Sequence, residues 1–387
     1  MTRRKWPFML LMLPAAMMLL GACTDNQTDT TQPTKMLTGQ TEQLKVFFID
    51  VGKGDASLIG LPDGHWVMID TGPAQGFPEL GRTLINQGVT HLDAVFISHG
   101  HKDHIGGLEN VLKTVECDTI YTIPDCLDDQ EILNAEKDYA AHVKVLAADQ
   151  TVKIGDAVLT CLGPITDYGD ENENSMVLML DFMGTRLLYT ADQLAAAENG
   201  LLNKGVDLKA DVLKVAYHGG AESTSDEFVK AVSPKFAVVP TDETRPAPQS
   251  TLDKLSRAGA RTFVLADTGT LVFDGKSMEQ MPAPEAELSD VVVSDKDVDA
   301  ESVTVTNRTA QTVDMTGWCL YSEKGADTYF FPAGTVLPPK ASLTVYSGKA
   351  AQNSPDGLVW TTKKIWSNKK EDICRLFDAY GRQVGSF

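Results

Sequence analysis

Three of the seven histidines of this 387-residue chain fall in one short run, Ser98-His99-Gly100-His101-Lys102-Asp103-His104. An apolar, strand-like segment (residues 94–98) precedes the run, and Ile105-Gly106-Gly107 and a helical pattern follow it. A loop at the end of a buried strand can turn several side chains toward one point, and neutral imidazoles and carboxylates are good ligands for zinc-class ions. The run therefore predicts a metal centre, and two ions there could share a hydroxide and promote an in-line displacement.

Two further ligands are predicted at the ends of later strands. Asp192 follows residues 188–191 (LYTA), and His218 follows residues 212–217 (VLKVAY). Taken alone, Asp192 could be a helix N-cap and His218 a hydrogen-bonded core histidine. Beside the histidine run, both are better explained as metal ligands.

Strand and helix patterns alternate over residues 43–276, on both sides of the histidine run. The first strands are apolar runs separated by turns that contain Gly and Pro. This order predicts a layered α/β domain. Residues 277–287 (SMEQMPAPEAE) are rich in Pro and Glu and predict a linker. Short strands without helices recur over residues 288–387, which predicts a small β-sandwich that folds as a separate module.

Residues 43–275 resemble the metallo-β-lactamase fold, in the subgroup formed by the C-terminal domain of the DNA-uptake protein ComEC. The resemblance rests on the histidine run and on Phe48-Ile49-Asp50-Val51-Gly52-Lys53-Gly54-Asp55-Ala56, Ile69-Asp70-Thr71-Gly72, Asn174-Ser175, Thr190-Ala191-Asp192 and Tyr217-His218-Gly219-Gly220. It implies an αββα sandwich that holds two divalent metal ions, zinc in the first place and manganese as the alternative. The implied metal ligands are His99, His101, Asp103, His104, Asp192 and His218. Asp192 would bridge the ions, Asp103 and Asp192 would be catalytic, and Asp55 and Asp70 would be structural residues near the site.

This chain departs from that subgroup at several positions. Lys53 stands where glutamine is usual, and Tyr217 stands where histidine is usual. Many members of the wider fold have another histidine ahead of the bridging aspartate, where this chain has Asn174-Ser175. We therefore expect Asn174, Ser175 or Tyr217 to supply an extra ligand or a substrate contact, and we expect the two ions to bind with unequal affinity.

Residues 288–387 are similar to the lamin-tail domain. The similarity rests on Val305-Thr306-Asn307, Gly317-Trp318-Cys319-Leu320, Phe331-Pro332-Ala333-Gly334-Thr335, Val345-Tyr346-Ser347-Gly348, Ile365-Trp366-Ser367-Asn368 and Leu376-Phe377-Asp378. It implies an immunoglobulin-like sandwich without catalytic function that docks an unknown partner. The lysines beside Trp360 and Trp366 could hold a nucleic acid or another polymeric phosphodiester, or could belong to a solvated loop around two core tryptophans. These lysines are Lys363, Lys364, Lys369 and Lys370.

The first 42 residues are predicted to be a targeting signal and a tether. A basic start (residues 3–5) precedes an uncharged apolar stretch, and Leu20-Gly21-Ala22-Cys23 follows. This order is typical of a secretory signal peptide, here residues 1–22. Its cysteine resembles that of a bacterial lipobox, which implies lipid on Cys23 and an extracytoplasmic protein anchored to the cell membrane. Residues 23–42 are rich in Thr, Gln and Asp and predict a flexible tether.

Composition narrows the functional classes. The formal charge of −19, from 34 basic and 53 acidic residues, excludes a protein that binds nucleic acid by charge alone. Only one short stretch is apolar enough to approach the length of a membrane span, which excludes a polytopic membrane protein. Six cysteines are too few for a disulfide framework, although Cys117 and Cys126 are a candidate bridge.

Together these features predict a lipid-anchored metal-dependent hydrolase, in the first place a nuclease or phosphodiesterase in which a metal-bound hydroxide attacks the phosphorus of DNA or RNA. One alternative is a hydrolase of a carboxyl ester, a lactone, a β-lactam or a small phosphodiester, because one fold can serve all these reactions. A second alternative is a surface-binding protein whose metal centre has decayed.

Overall fold

A computed structural model describes residues 43–281, 290–352, 357–367 and 371–387. The predicted signal peptide, the tether with Cys23, residues 282–287 of the predicted linker, and Lys369 and Lys370 lie outside these ranges. No helix within the described ranges is long and apolar enough to cross a membrane. Cys117 and Cys126 are free thiols, as are Cys161, Cys319 and Cys374, so the candidate bridge is not formed.

The first domain contains two large sheets, one two-stranded sheet and eight α-helices within the described residues. Its strands are β1 (Lys45–Phe48), β2 (Ala56–Gly60), β3 (Trp66–Thr71), β4 (His91–Leu92), β5 (Ala94–Phe96), β6 (Glu116–Cys117), β7 (Thr119–Thr122), β8 (His142–Val145), β9 (Thr151–Ile154), β10 (Ala157–Gly163), β11 (Val177–Phe182), β12 (Thr185–Tyr189), β13 (Val212–Lys214), β14 (Phe236–Val239), β15 (Arg261–Val264), β16 (Leu271–Phe273) and β17 (Met278–Gln280). Its helices are α1 (Phe77–Asn86), α2 (Lys102–Ile105), α3 (Leu108–Thr114), α4 (Gln130–Tyr139), α5 (Ala195–Lys204), α6 (Asp226–Val232), α7 (Gln249–Arg257) and α8 (Leu265–Thr268).

Two large sheets pack face to face, with helices on both outer sides. The strand order is β17-β16-β1-β2-β3-β5-β7-β8 in one sheet and β15-β14-β13-β12-β11-β10-β9 in the other, while β4 and β6 form a separate pair. Phe48 of β1 stacks on Tyr189 of β12 across the gap, with ring centroids 6.1 Å apart. Helices α1, α3 and α4 bury their apolar sides against the first sheet, and α5, α6 and α7 cover the second. This is the αββα sandwich expected from the sequence.

The sequence explains the early hairpins well and the end of this domain less well. Apolar runs flank the Pro62-Asp63-Gly64 turn, and β2 pairs with β3 in the register that joins Gly60 to Trp66. The linker prediction is wrong for β17, which pairs antiparallel with β16 as an edge strand. Met278 begins this strand with a side chain buried in the core of the domain, because its apolar side faces inward while the acidic and amide residues that follow face solvent.

The C-terminal domain is a β-sandwich. Its strands are β18 (Val291–Asp297), β19 (Ser302–Asn307), β20 (Val313–Asp314), β21 (Cys319–Ser322), β22 (Asp327–Phe330), β23 (Val336–Leu337), β24 (Ser342–Tyr346), β25 (Leu358–Val359), β26 (Cys374–Phe377) and β27 (Gln383–Ser386). The sheets β18-β19-β24-β25 and β22-β21-β26-β27 enclose one apolar core, and β20 pairs with β23. Trp318 and Trp366 are buried in that core.

This sandwich packs against helix α1 of the first domain. The rings of Phe330 and Phe77 meet edge to face, with centroids 5.9 Å apart. The side-chain amide of Asn86 donates to the carbonyl oxygen of Ala379, with 2.8 Å between the atoms. A Cβ added to Gly81 would lie 2.6 Å from the Phe330 ring, so only glycine lets the two surfaces approach this closely. The separate module predicted from the sequence therefore has a specific docking face.

Candidate metal centre

The candidate metal centre lies where parallel strands of both sheets end. Strand β5 runs parallel to β3 in the first sheet, and β12 runs parallel to β13 in the second. The loop after β5 leads into α2, Asp192 follows β12, and His218 lies in a tight turn (residues 216–219) after β13. Because the carboxyl ends of neighbouring parallel strands meet at one edge, the polar residues after them are brought to one place.

Asp70 holds the histidine loop in position. Asp70 is the second-last residue of strand β3. It is 1% exposed and has a positive φ of 53°. One of its carboxylate oxygens accepts from the backbone N–H of Ser98 and the other from the Ser98 hydroxyl, both at 2.8 Å. The second oxygen also lies 2.9 Å from Nδ1 of His104. This contact orients the imidazole so that its Nε2 is presented to the centre, as outer-shell carboxylates do for metal-binding histidines.

Among the predicted ligands, three buried atoms have no hydrogen-bond partner: Nε2 of His104, Oδ1 of Asp192 and Nε2 of His218. Oδ1 of Asp55, beside His218, also has none. The His104 and Asp192 atoms are 3.2 Å apart. Nε2 of His218 lies 3.4 Å from Oδ2 of Asp192 and 3.3 Å from Oδ2 of Asp103. Buried polar atoms are rarely left unpaired, so atoms orphaned around one point indicate a missing shared partner.

His99 and His101 form the outer side of the centre. Nε2 of His99 and Nδ1 of His101 are 3.1 Å apart, close to the ~3.3 Å that separates two nitrogen ligands of one tetrahedral zinc ion. His99 also belongs to a group with His104 and Asp192 whose ligand atoms lie within 4.8 Å of one another. His99 is buried, whereas the side chain of His101 is 42% exposed and its Nε2 lies 3.3 Å from Oε2 of Glu171. The position beside His101 is therefore the more open one.

The histidines and aspartates of the centre shift one another's pKa values. Burial disfavours the protonated form of His104, but the carboxylates of Asp192 and Asp55 outweigh it and raise its pKa well above the usual value. Burial opposes ionisation of Asp192, yet His104 and His218 hold its pKa well below the usual value. Burial and the neighbouring charge of His104 lower the pKa of His99 well below its usual value. The carboxylates thus favour protons on His104 and His218 but not on His99, and a bound cation would displace those protons.

Two lysines enter the centre. The Lys53 ammonium group contacts Asp103, and burial of Asp103 opposes its ionisation while its contacts with His218 and Lys53 hold its pKa well below the usual value. Lys214 is 4% exposed, contacts Asp55, and donates to the carbonyl oxygen of Ala191 at 2.9 Å. Lys214 is a residue of the centre that was not predicted from the sequence, although a lysine inside the apolar run VLKVAY needs a buried counter-charge, which was the available signal.

The residues present fit divalent metal. Four aspartates and two lysines meet here, which leaves two negative charges uncompensated when the imidazoles are neutral: Asp55, Asp70, Asp103 and Asp192 against Lys53 and Lys214. The ligand set is nitrogen and carboxylate oxygen, which suits zinc and, with more oxygen, manganese. The orphaned atoms are the direct observation, because a cation would satisfy all three at once.

Asn174 and Ser175, which were predicted as extra ligands or substrate contacts, make other contacts in the structure. The amide oxygen of Asn174 accepts from the backbone N–H of Tyr168 at 2.8 Å, and its nitrogen donates to Asp125 and Asp167. Asn174 therefore fastens its own loop, and we do not count it among the ligands. Ser175 has a buried hydroxyl without a hydrogen-bond partner, in a small cavity that the orphaned side chain of Gln193 also lines.

Tyr217 shares the strained turn of His218. The two residues have positive φ angles of 51° and 50°, a conformation that costs free energy for residues other than glycine and that persists where the surroundings impose it. The backbone N–H of Tyr217 donates to the carbonyl oxygen of Ala191 at 3.0 Å, which joins this turn to the loop that carries Asp192. The turn aims the His218 ring at the centre, while a substrate contact from the Tyr217 side chain stays a prediction.

Comparison with known proteins agrees with this geometry. Residues 49–241 match the metallo-beta-lactamase superfamily, and residues 280–387 match the Lamin Tail Domain. The chain thus has a metallo-β-lactamase domain, which belongs to a superfamily of hydrolases, followed by a lamin tail domain. A fold of this superfamily implies divalent metal, and the structure has the histidine and aspartate groups to hold it.

Among individual proteins, the chain is similar to ComE operon protein 3 of Bacillus subtilis (strain 168), with 27% identity over 258 residues that cover 60% of this chain and 33% of that protein. It is also similar to Competence protein ComA of Neisseria gonorrhoeae, with 30% identity over 192 residues that cover 49% of this chain and 26% of that protein. The chain therefore spans about a quarter to a third of the length of these relatives. A solved structure, the metallo-beta-lactamase fold protein YhfI from Bacillus subtilis, is 16% identical, covers 57% of this chain and 95% of its own, and has a TM-score of 0.41.

Proposed function

We propose that this protein is a lipid-anchored, extracytoplasmic phosphodiesterase that cleaves DNA or RNA with two divalent metal ions. The observation that carries the proposal is the group of orphaned ligand atoms of His104, Asp192 and His218 at the ends of the parallel strands. The similarity to a protein named for competence, Competence protein ComA, supports a nucleic acid as the substrate. Lys53 beside the centre supplies a positive charge for an anionic substrate.

The residues divide into two ligand sets. Asp103, His104 and His218 would hold one ion and His99 with His101 the other, and Asp192 would serve both. Bound ions supply Lewis acidity toward a phosphoryl oxygen and lower the pKa of a water molecule. The chain contributes the buried ligand atoms of His104, Asp192 and His218, and the orientation of His104 through Asp70.

We expect the ion at His99 and His101 to bind more weakly than the other ion. His101 is partly exposed and Asn174 is committed to its own loop, so this position has fewer protein ligands. Calorimetric titration of the metal-free protein with Zn²⁺, and separately with Mn²⁺, checks this expectation. Two steps of unequal affinity are expected, and two equal tight sites would contradict it.

A substrate panel tests the reaction itself. Purified protein loaded with Zn²⁺ or Mn²⁺ is assayed against plasmid DNA, RNA, bis-p-nitrophenyl phosphate and nitrocefin, with Asp192→Ala as the control. Cleavage of the phosphodiesters alone, abolished in the variant, is the expected result. Cleavage of nitrocefin or a carboxyl ester without cleavage of any phosphodiester would refute the proposal.

One observation favours the alternative of an uncharged ester or lactone substrate. Two carboxylates crowd Gly100 at the rim of the centre: a Cβ there would lie 2.3 Å from Oδ2 of Asp129 and 2.8 Å from Oε1 of Glu171. These charges would repel a polyanion that approached over His101. A nucleic acid would therefore have to approach over Lys53, and an uncharged ester would face no such restriction.

We further propose that the lamin tail domain helps to hold a polymeric substrate. A groove of about 690 Å³ runs between the two domains, and its lining includes Lys113, Lys363, Tyr329 and Trp360. Ammonium groups and aromatic rings are the groups that hold single-stranded nucleic acid. Substituting Lys363 with Gln should weaken binding of a labelled oligonucleotide without changing cleavage of bis-p-nitrophenyl phosphate. Unchanged oligonucleotide affinity would remove this role.

The membrane anchor is tested separately through Cys23. Lipid on this residue would place the centre outside the cell, tethered by residues 23–42. Cys23→Ser should release the protein from membranes or block its processing, as measured by detergent partitioning of cell fractions. A variant that partitions like the wild type would refute lipid anchoring and leave the hydrolase proposal intact.

A further inference from the structure

Lys53 contacts a metal ligand but is not itself a ligand. Its ammonium group lies against Oδ2 of Asp103, and the same oxygen lies 3.3 Å from Nε2 of His218. The Lys53 side chain is 28% exposed, so its ammonium group reaches both the centre and solvent. Asp103 is the one carboxylate with which Lys53 forms an ion pair among the residues that the structure describes.

The backbone fixes Lys53 in this place. The N–H of Asp55 donates to the carbonyl oxygen of Asp103 at 3.0 Å, which joins the Lys53 loop to helix α2. A Cβ on Gly54 would lie 2.5 Å from that same oxygen, so the two segments are in direct contact. These contacts hold the backbone of the Lys53 loop against helix α2, so a change in the surroundings of Asp103 acts on the Lys53 side chain.

Metal binding would remove the partner of Lys53. A divalent ion among Asp103, His104 and His218 neutralises the Asp103 carboxylate and repels a neighbouring ammonium group. Lys214 has no such conflict, because it is buried and pairs with Asp55 and with the carbonyl oxygen of Ala191. Lys53 is thus left as a positive charge at the edge of a loaded centre, within reach of whatever binds there.

We propose that Lys53 exchanges one anionic partner for another: it neutralises Asp103 in the metal-free protein, and it contacts an anionic phosphoryl oxygen of the substrate when the ions are bound. The inference rests on the proposed function and deepens it, because it makes Lys53 the residue that selects an anionic substrate over an uncharged one. The acidic rim formed by Asp129 and Glu171 leaves Lys53 as the side of approach for such an anion.

The test compares Lys53→Gln with the wild type and with a matched control. Lys204→Gln is the control, since Lys204 also pairs with one aspartate, Asp149 at 2.7 Å, and its side chain is 34% exposed, but it lies at the end of helix α5. Two quantities are measured: the affinity of the metal-free protein for Zn²⁺ against a competing chelator, and the affinity of the zinc-loaded protein for inorganic phosphate. KM values for bis-p-nitrophenyl phosphate and p-nitrophenyl acetate complete the set.

Lys53→Gln should bind Zn²⁺ about two- to fivefold more tightly, because a partly exposed competing ion pair is gone. It should bind phosphate about 10- to 100-fold more weakly, because a hydrogen bond to a charged group is lost. Its KM should rise for the phosphodiester and not for the acetate ester, and Lys204→Gln should match the wild type throughout.

Two results would overturn the inference. Unchanged phosphate affinity would show that Lys53 does not contact the anion. Weaker zinc binding would show that Lys53 serves only to position Asp103. Phosphate binding needs no turnover, so a wild type that binds phosphate through Lys53 but cleaves no phosphodiester would refute the proposed function and not the contact.

Discussion

Both domains bury aspartates, but they use them in opposite ways. In the lamin tail domain, Asp372 is 3% exposed and accepts from the hydroxyl of Ser322 at 2.9 Å and from the backbone N–H of Lys324 at 3.1 Å. In the metallo-β-lactamase domain, Asp192 is 2% exposed and has one oxygen without any hydrogen-bond partner, facing the orphaned nitrogen of His104. The oxygen without a partner, and not burial alone, distinguishes Asp192 from Asp372.

The largest effect is expected from removing Asp192. Asp192→Ala should lose zinc affinity by more than the ~10- to 100-fold that loss of an outer-shell partner costs, because Asp192 faces both ligand sets. Hydrolytic activity should fall with it. Isothermal titration of the metal-free variant with Zn²⁺ measures the change. If the Asp192→Ala variant keeps wild-type zinc affinity, Asp192 is not a metal ligand and does not differ in role from Asp372.

Asp372→Ala is the matched change in the other domain. It leaves the Ser322 hydroxyl and the Lys324 N–H without their buried acceptor, which should cost about 1–3 kcal/mol of the free energy of unfolding. Zinc affinity should not change, since Asp372 contacts no residue of the centre. Denaturant unfolding and the same zinc titration measure the two quantities. Loss of zinc binding in this variant would mean that the two domains are coupled.

Such coupling would have to pass through the contact between the two domains. The substitution Gly81→Ala tests this contact. Gly81→Ala places a methyl group 2.6 Å from the ring of Phe330 and 3.0 Å from that of Phe77. The overlap should cost about 1–3 kcal/mol, reduced by the better helix propensity of alanine. Differential scanning calorimetry should show lower stability or two separate transitions.

The double variant Gly81→Ala, Phe330→Ala is the control for that change. Removing the Phe330 ring relieves the overlap, so the double variant should be more stable than the sum of the two single effects predicts. Additive losses would show that the alanine acts inside helix α1 and not on the contact between the domains.

The sequence predicted most of this arrangement because the relevant signals are local. The histidine run, the strand-end Asp192 and the His218-Gly219-Gly220 turn are each contained in a few residues, and alternating patterns defined the sandwich around them. The ion pair of Lys214 with Asp55 joins residues 159 positions apart, and the docking of Phe330 on Gly81 depends on a surface that forms only after both domains fold. Asn174 looked like a ligand by its order in the chain, but its amide is used by Asp125 and Tyr168, which no sequence pattern indicates.

The smallest expected effect concerns Asp50. This aspartate shares one property with Asp372, a hydrogen bond from the backbone, and it also has a shifted pKa. It accepts from the backbone N–H of Gly52 at 3.2 Å, as a loop-fastening aspartate does, but burial and the charges of Glu79 and Asp242 raise its pKa to about 6. Between about pH 4, where the unfolded chain ionises, and pH 6, folded Asp50 keeps a proton that the unfolded chain has lost. Its contribution to stability therefore falls as the pH rises through this window, and above it the folded protein carries a half-buried anion.

Asp50→Asn removes the ionisation but can keep the hydrogen bond from Gly52. The variant should be more stable than the wild type by about 1–2 kcal/mol at pH 8 and should lose this advantage toward pH 4. Asp274→Asn should show the opposite sign, because backbone N–H donors at Ser277 and Lys276 lower the pKa of Asp274 and stabilise its ionised form above pH ~4. Urea unfolding of both variants at pH 4 and pH 8 measures the difference. A gain for Asp50→Asn that is equal at both pH values would show that the carboxylate is not the source, and that the loop tolerates any acceptor for Gly52.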